Sequence, residues 1–208
     1  VTGTGSKMFA RLLRRMIPSG LRGWPPEDAD LVAVDVETAG LDPATADVLS
    51  VGAVPISGRR VMLSDRFEAV IRRDAPTHEG SVRIHRLRAM DLEHGLPPQE
   101  AMARFREWLG DRPLLGYCVD FDRAALDREL RRGGQPPLDV AAYDLRRLYM
   151  LRQKRHELHG HEHHEHALPD LDGILESLGI PALSRHTAIG DAVATALAYI
   201  ALRFGQAG

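Results

Sequence analysis

The chain has 208 residues, 44% of them hydrophobic, which suits one ordinary domain with its own core and a short extension. A net charge of −2 and an aromatic share of 5% argue against a protein that grips nucleic acid by bulk charge or a broad stacking platform. The single cysteine, Cys118, permits no intramolecular disulfide and points to a reducing, cytoplasmic setting; no apolar stretch approaches the ~20 residues of a membrane span, so no stable membrane insertion is expected.

Val1 to Lys7 reads as a disordered leader. Residues 8–17 have helical spacing, with Met8, Leu12, Leu13 and Met16 on one side and Arg11, Arg14 and Arg15 elsewhere. Pro18 stops this helix and Pro25-Pro26 forms a hinge, so residues 1–28 are a leader with a basic amphipathic helix and residues 29–208 the main domain. Two uses of the helix stay open: docking on its own domain, or touching a membrane surface or nucleic acid.

The main domain opens with the apolar run Leu31-Val32-Ala33-Val34-Asp35-Val36, a buried strand. Strands follow at 48–56 and 59–71, turned at Gly58. Helical patterns come next at 81–92 and 97–110, then a short strand at 113–117, a helix at 121–132 closed by Gly133-Gly134, and a strand at 140–144. Helices over 145–154, 168–178 and 187–204 complete an α/β domain with a mixed central sheet flanked by helices.

Asp35-Val36-Glu37 ends the first strand, and residues two apart on a strand share a face. Two carboxylates beside an apolar strand repel and are poorly solvated unless a cation joins them, and hard cations such as Mg²⁺ take oxygen ligands. Solvated acids at a strand end are the other reading of this pair. Asp122 follows the strand Leu114-Leu115-Gly116-Tyr117 at a helix start, and Asp191 lies just inside the last helix; either acid would also complement a helix N-terminus. Four carboxylates near strand ends and helix starts can hold two metal ions ~4 Å apart, an arrangement that activates water and clamps a phosphodiester.

Three segments, taken in order, carry a resemblance. Asp35-Val36-Glu37-Thr38 with Gly40-Leu41-Asp42, then Gly116-Tyr117-Cys118-Val119-Asp120-Phe121-Asp122, and then His186 five residues before Asp191 together resemble the motifs of the DEDDh exonucleases. That family, within the ribonuclease H-like superfamily, includes polymerase proofreading subunits and ribonuclease T. A sister group carries Tyr where this chain has Thr187, so the chain resembles the histidine type. The resemblance implies a ribonuclease H-like fold and removal of nucleoside 5′-monophosphates from the 3′ end of single-stranded DNA or RNA. It also implies two divalent cations, Mg²⁺ or Mn²⁺, and leaves a polymerase or other protein partner open.

On this resemblance Asp35, Glu37, Asp122 and Asp191 are metal ligands and His186 is the general base, a role that suits an imidazole with an ordinary pKa of ~6.5. Thr38, Leu41 and Phe121 would lie at the substrate, Leu41 as a wedge against the terminal base. His85 is expected to serve packing or the surface. Tyr117-Cys118 stands where the family carries His-Asn, which bears on substrate choice and rate because Cys is a poor donor. The alternatives are a non-catalytic binding module that keeps the fold as a scaffold, and a phosphodiesterase for very short oligonucleotides.

The run with His156, His159, His161, His163, His164 and His166 reads first as a solvated loop interleaved with Glu157, Glu162 and Glu165, and second as a Zn²⁺ or Ni²⁺ site. Its spacing matches neither HExxH nor HxxEH, so protease chemistry is not supported.

Overall fold

The computed structural model describes residues 22–73, 89–157, 169–182 and 184–205. The expected leader, the helix at 8–17, most of the helix expected at 81–92 with His85, and the histidine run from His159 to His166 lie outside these residues.

Strand β1 (Leu31–Thr38) is the spine of a six-stranded sheet. It runs antiparallel to β2 (Val48–Ser57) and parallel to β5 (Leu114–Gly116), which in turn runs parallel to β6 (Ala142–Asp144). The first four residues of β1 are buried on both faces of the sheet, and their alternation feeds two cores. Val32, Val34 and Val36 join one core with helices α2 (Pro98–Leu109) and α3 (Val119–Arg132). Leu31 and Ala33 join the other with α4 (Leu145–Glu157), α5 (Leu171–Ser177) and α6 (Ala188–Phe204). A short helix, α1 (Ala89–Glu93), precedes α2. This mixed sheet with helices on both faces is the ribonuclease H-like architecture expected from the sequence.

One expected element divides. The strand foreseen at 59–71 is β3 (Arg60–Val61) and β4 (Phe67–Val70), separated by a 3₁₀ turn at Leu63–Asp65. Both pieces pair antiparallel with β2, β3 at Ile56 and Ser57 and β4 at Ser50 to Ala53. Pro55 of β2 lies opposite the interruption. It has no N–H to give to a continuous ladder, although its carbonyl still accepts from the Met62 N–H at 2.9 Å. No helix among the described residues is long and apolar enough to cross a membrane.

Candidate active site

The C-terminal ends of the parallel strands β1, β5 and β6 lie along one edge of the sheet, where open α/β sheets place ligands. Asp35 and Glu37 continue the face of β1 that Leu31 and Ala33 begin, and so look toward the α6 side. Gly52, directly opposite Asp35 in the ladder, lets α6 in. A Cβ there would lie 2.1 Å from the Ile189 nitrogen and 2.3 Å from the Ala188 carbonyl carbon, so only a glycine admits the start of the helix. The first turn of α6 therefore sits directly on the sheet and carries Asp191 to the two acids. Carboxylate oxygens of Asp35, Glu37 and Asp191 come within 4.8 Å of one another.

Asp122 reaches the same place from the opposite layer. Strand β5 pairs with β1 only at Val32 and Ala33, which leaves the Val36 N–H beyond its end. Asp122 accepts that N–H at 3.3 Å through Oδ1, while its Oδ2 is buried with no hydrogen-bond partner among the described residues. Asp122 stands outside the three-carboxylate cluster itself, yet its charge is felt strongly by Asp35.

The electrostatics of Asp35, Glu37 and Asp122 differ from those of solvated carboxylates. Burial, then the charges of Asp122, Asp191 and Glu37, push the Asp35 carboxyl well above its ordinary range, against the pull of Arg185. Burial and Asp191 raise Glu37 to about 7. Burial raises Asp122 well above its usual value despite the Val36 N–H bond. Gathered carboxylates that resist ionisation, together with an unsatisfied buried oxygen, fit a site for divalent cations.

The third segment is built around the N-cap of α6. Thr187 accepts the Gly190 N–H at 3.1 Å and donates its hydroxyl to the Ser184 carbonyl at 2.9 Å. Asp191 reaches back to accept the His186 backbone N–H at 3.2 Å. His186 adopts φ 63 and is exposed, so its imidazole is open to solvent while its backbone is tied to an acid of the cluster. Arg185, which the sequence reading passed over, pairs with Asp191 and also with Asp172 at 2.6 Å. Its place beside His186 in the motif was the available signal.

The remaining expected residues line the loop after β1 and the start of α3. Thr38 follows an irregularity in the β1–β2 register and donates to the Gly40 carbonyl at 2.6 Å. Asp42 organises the turn by accepting the Ala44 N–H at 2.9 Å and the Thr45 hydroxyl at 3.0 Å. Leu41, at the tip, is 92% exposed. Phe121 is half-buried and packs against the α2–α3 core.

Asp144 was also missed, although it ends β6 directly before α4. Its carboxylate accepts the Val119 N–H at 3.0 Å and the Arg147 N–H at 3.2 Å, joining the starts of α3 and α4. Cys118, the cap residue of α3, adopts the left-handed conformation at φ 57 and ψ 41. Asn tolerates that conformation better than most residues, which gives a backbone reason for the family's choice at this position.

The fold and site define an α/β domain with a carboxylate cluster at the C-terminal edge of its mixed sheet, and comparison with known proteins narrows the class. A family profile described as exonuclease, of the RNase T type, matches residues 32–199. The chain belongs to this family, the DEDD-type 3′–5′ exonucleases of the ribonuclease H-like superfamily.

Among its relatives is the PolC-type DNA polymerase III of Thermotoga maritima, 25% identical over 177 residues that cover 83% of this chain and 12% of the relative. The PolC-type DNA polymerase III of Staphylococcus haemolyticus is 23% identical over 202 residues, 94% of this chain and 13% of that one. E. coli exonuclease I in complex with a dT13 oligonucleotide shares the fold with a TM-score of 0.70 at 21% identity, over 86% of this chain and 42% of its own. The zinc-bound form of the E. coli exonuclease I–single-stranded DNA complex gives a TM-score of 0.71 at 20% identity, over 86% and 41%. The chain thus spans a small part of these polymerases and under half of exonuclease I.

Proposed function

We propose that this chain removes nucleotides one at a time from the 3′ end of single-stranded DNA or RNA and releases nucleoside 5′-monophosphates. The observation that carries the proposal is the convergence of Asp35, Glu37 and Asp191 within 4.8 Å, with the unsatisfied Oδ2 of Asp122 beside them. Asp35, Glu37, Asp122 and Asp191 would hold two divalent cations, Mg²⁺ or Mn²⁺. Such ions, when bound, neutralise the four acids and supply Lewis acidity toward phosphate and water.

The other steps belong to the chain itself. His186, exposed and anchored through its backbone to Asp191, takes a proton from the attacking water. The water oxygen bonds to phosphorus, the bond from phosphorus to the 3′ oxygen of the upstream nucleotide breaks, and that oxygen leaves as a hydroxyl after gaining a proton. The fixed turn after β1 presents Leu41 as an apolar wedge against the terminal base, and the Thr38 region supports the terminal sugar. Phe121 serves from the packed base of the site. PolC-type relatives make a polymerase context a reasonable setting for such an activity.

Product analysis tests the reaction. Mass spectrometry of single-stranded DNA and RNA digests with Mg²⁺ or Mn²⁺, run in ¹⁸O-water, should show nucleoside 5′-monophosphates carrying one heavy phosphate oxygen. Release of 3′-monophosphates, or of internal fragments only, would overturn the proposal.

A further inference from the structure

Beyond the ends of β5 and β6, Arg146 is a cation that forms no ion pair among the described residues. Arg146, in the first turn of α4, is half-buried and directs Nη1 to the Cys118 Sγ at 3.9 Å. Its Nε is buried with no hydrogen-bond partner, and no carboxylate among the described residues pairs with it. Asp144, two positions earlier, has both oxygens engaged by the N–H groups of Val119 and Arg147. Burial holds the Cys118 thiol above its ordinary value even against the pull of Arg146, so the thiol is neutral and offers no charge. Arg185, by contrast, is neutralised twice over by Asp191 and Asp172.

A half-buried guanidinium whose only side-chain partner among the described residues is a thiol is better stabilised when an anion meets it, and its planar fork suits a phosphate. Arg146 follows the end of β6, two strands from β1, and reaches Cys118 just beyond the end of β5, the strand between them. We propose that Arg146 is a substrate-binding residue for the phosphodiester one nucleotide upstream of the bond being cut, and that it extends the site from a terminal nucleotide to a strand. The inference rests on the exonuclease reading above.

The test compares two substrates on the full chain. Single-stranded dT10 carries the upstream phosphate, whereas the p-nitrophenyl ester of thymidine 5′-monophosphate carries only the phosphate to be cut. For R146Q, the ratio of kcat/KM on dT10 to that on the ester should fall about 10-fold, the change lying in KM. R146K should recover part of it. The slope of log affinity for fluorescent dT10 against log salt, followed by anisotropy in Ca²⁺, should shrink by roughly 0.7. Equal losses on both substrates, or unchanged anisotropy in a variant with wild-type circular dichroism, would overturn the role. If the wild-type protein cleaves neither substrate, the exonuclease reading fails, and the anisotropy comparison still decides whether Arg146 binds a strand.

Discussion

Cys118 holds φ 57 and ψ 41, a conformation that costs most L-residues ~1 kcal/mol or more and Asn less. Cys118→Asn should therefore raise stability by about 1 kcal/mol, or roughly 3 °C in Tm for a domain of this size, in a thermal melt. A lower Tm would show that contacts of the thiol outweigh the backbone. The carboxylates make a second prediction. Burial and mutual repulsion raise Asp35 and Glu37, Glu37 to about 7 from an ordinary 4.5, so the folded state binds more protons than the unfolded one between those values. Stability from this source is present below about pH 4.5 and is lost as pH rises through 7. In EDTA, Tm should fall between pH 5 and 7.5, and Mn²⁺ at pH 7.5 should restore it; a flat profile, or no effect of Mn²⁺, would count against cation binding. That Asp35, Glu37 and Asp191 meet could be foreseen from the sequence, because each lies in a short motif segment whose spacing is local. Arg185 and Asp144 could not be, because their roles depend on which segments meet.

At the scale of elements, most of the sheet could be read from periodicity, since β1, β2 and the helices after β5 follow their apolar patterns closely. The split of the strand foreseen at 59–71 was harder to see, because its cause is Pro55 on a neighbouring strand rather than any residue within it. Gly52 was likewise readable only in hindsight. A glycine inside an apolar strand run signals a close backbone approach, yet the sequence does not say that α6 is what approaches. Gly52→Ala should cost ~3 kcal/mol or more in urea denaturation, because the new Cβ meets backbone that cannot move without shifting Asp191. Gly58→Ala, at φ 58 with nothing within 4 Å, should cost only ~1 kcal/mol through its backbone. Similar costs at the two positions would contradict the close packing of α6 on β2.

Across the whole molecule, two cores clamp β1 from both faces, and each delivers acids to the same end of it: Asp122 through α3, Asp191 through α6. The acids thus arrive from both layers: the α6 side completes the three-carboxylate cluster, and the α3 side brings Asp122 close enough for its charge to act on Asp35. The relatives carry domains of this kind within far longer chains, and the match to 12% of one polymerase shows how small a part this fold is of such a protein. On the proposal above, the site at this end of β1 hydrolyses a strand from its 3′ end. Its most direct test is a time course on 5′-labelled single-stranded DNA and RNA with Mg²⁺ or Mn²⁺, alongside Asp122→Asn. The expected result is a descending ladder that keeps the 5′ label, disappears in EDTA, and is slowed at least 100-fold (about 2.7 kcal/mol of barrier) in the variant. Intact strands in the presence of folded, Mn²⁺-bound protein, or immediate release of the 5′ label, would contradict it.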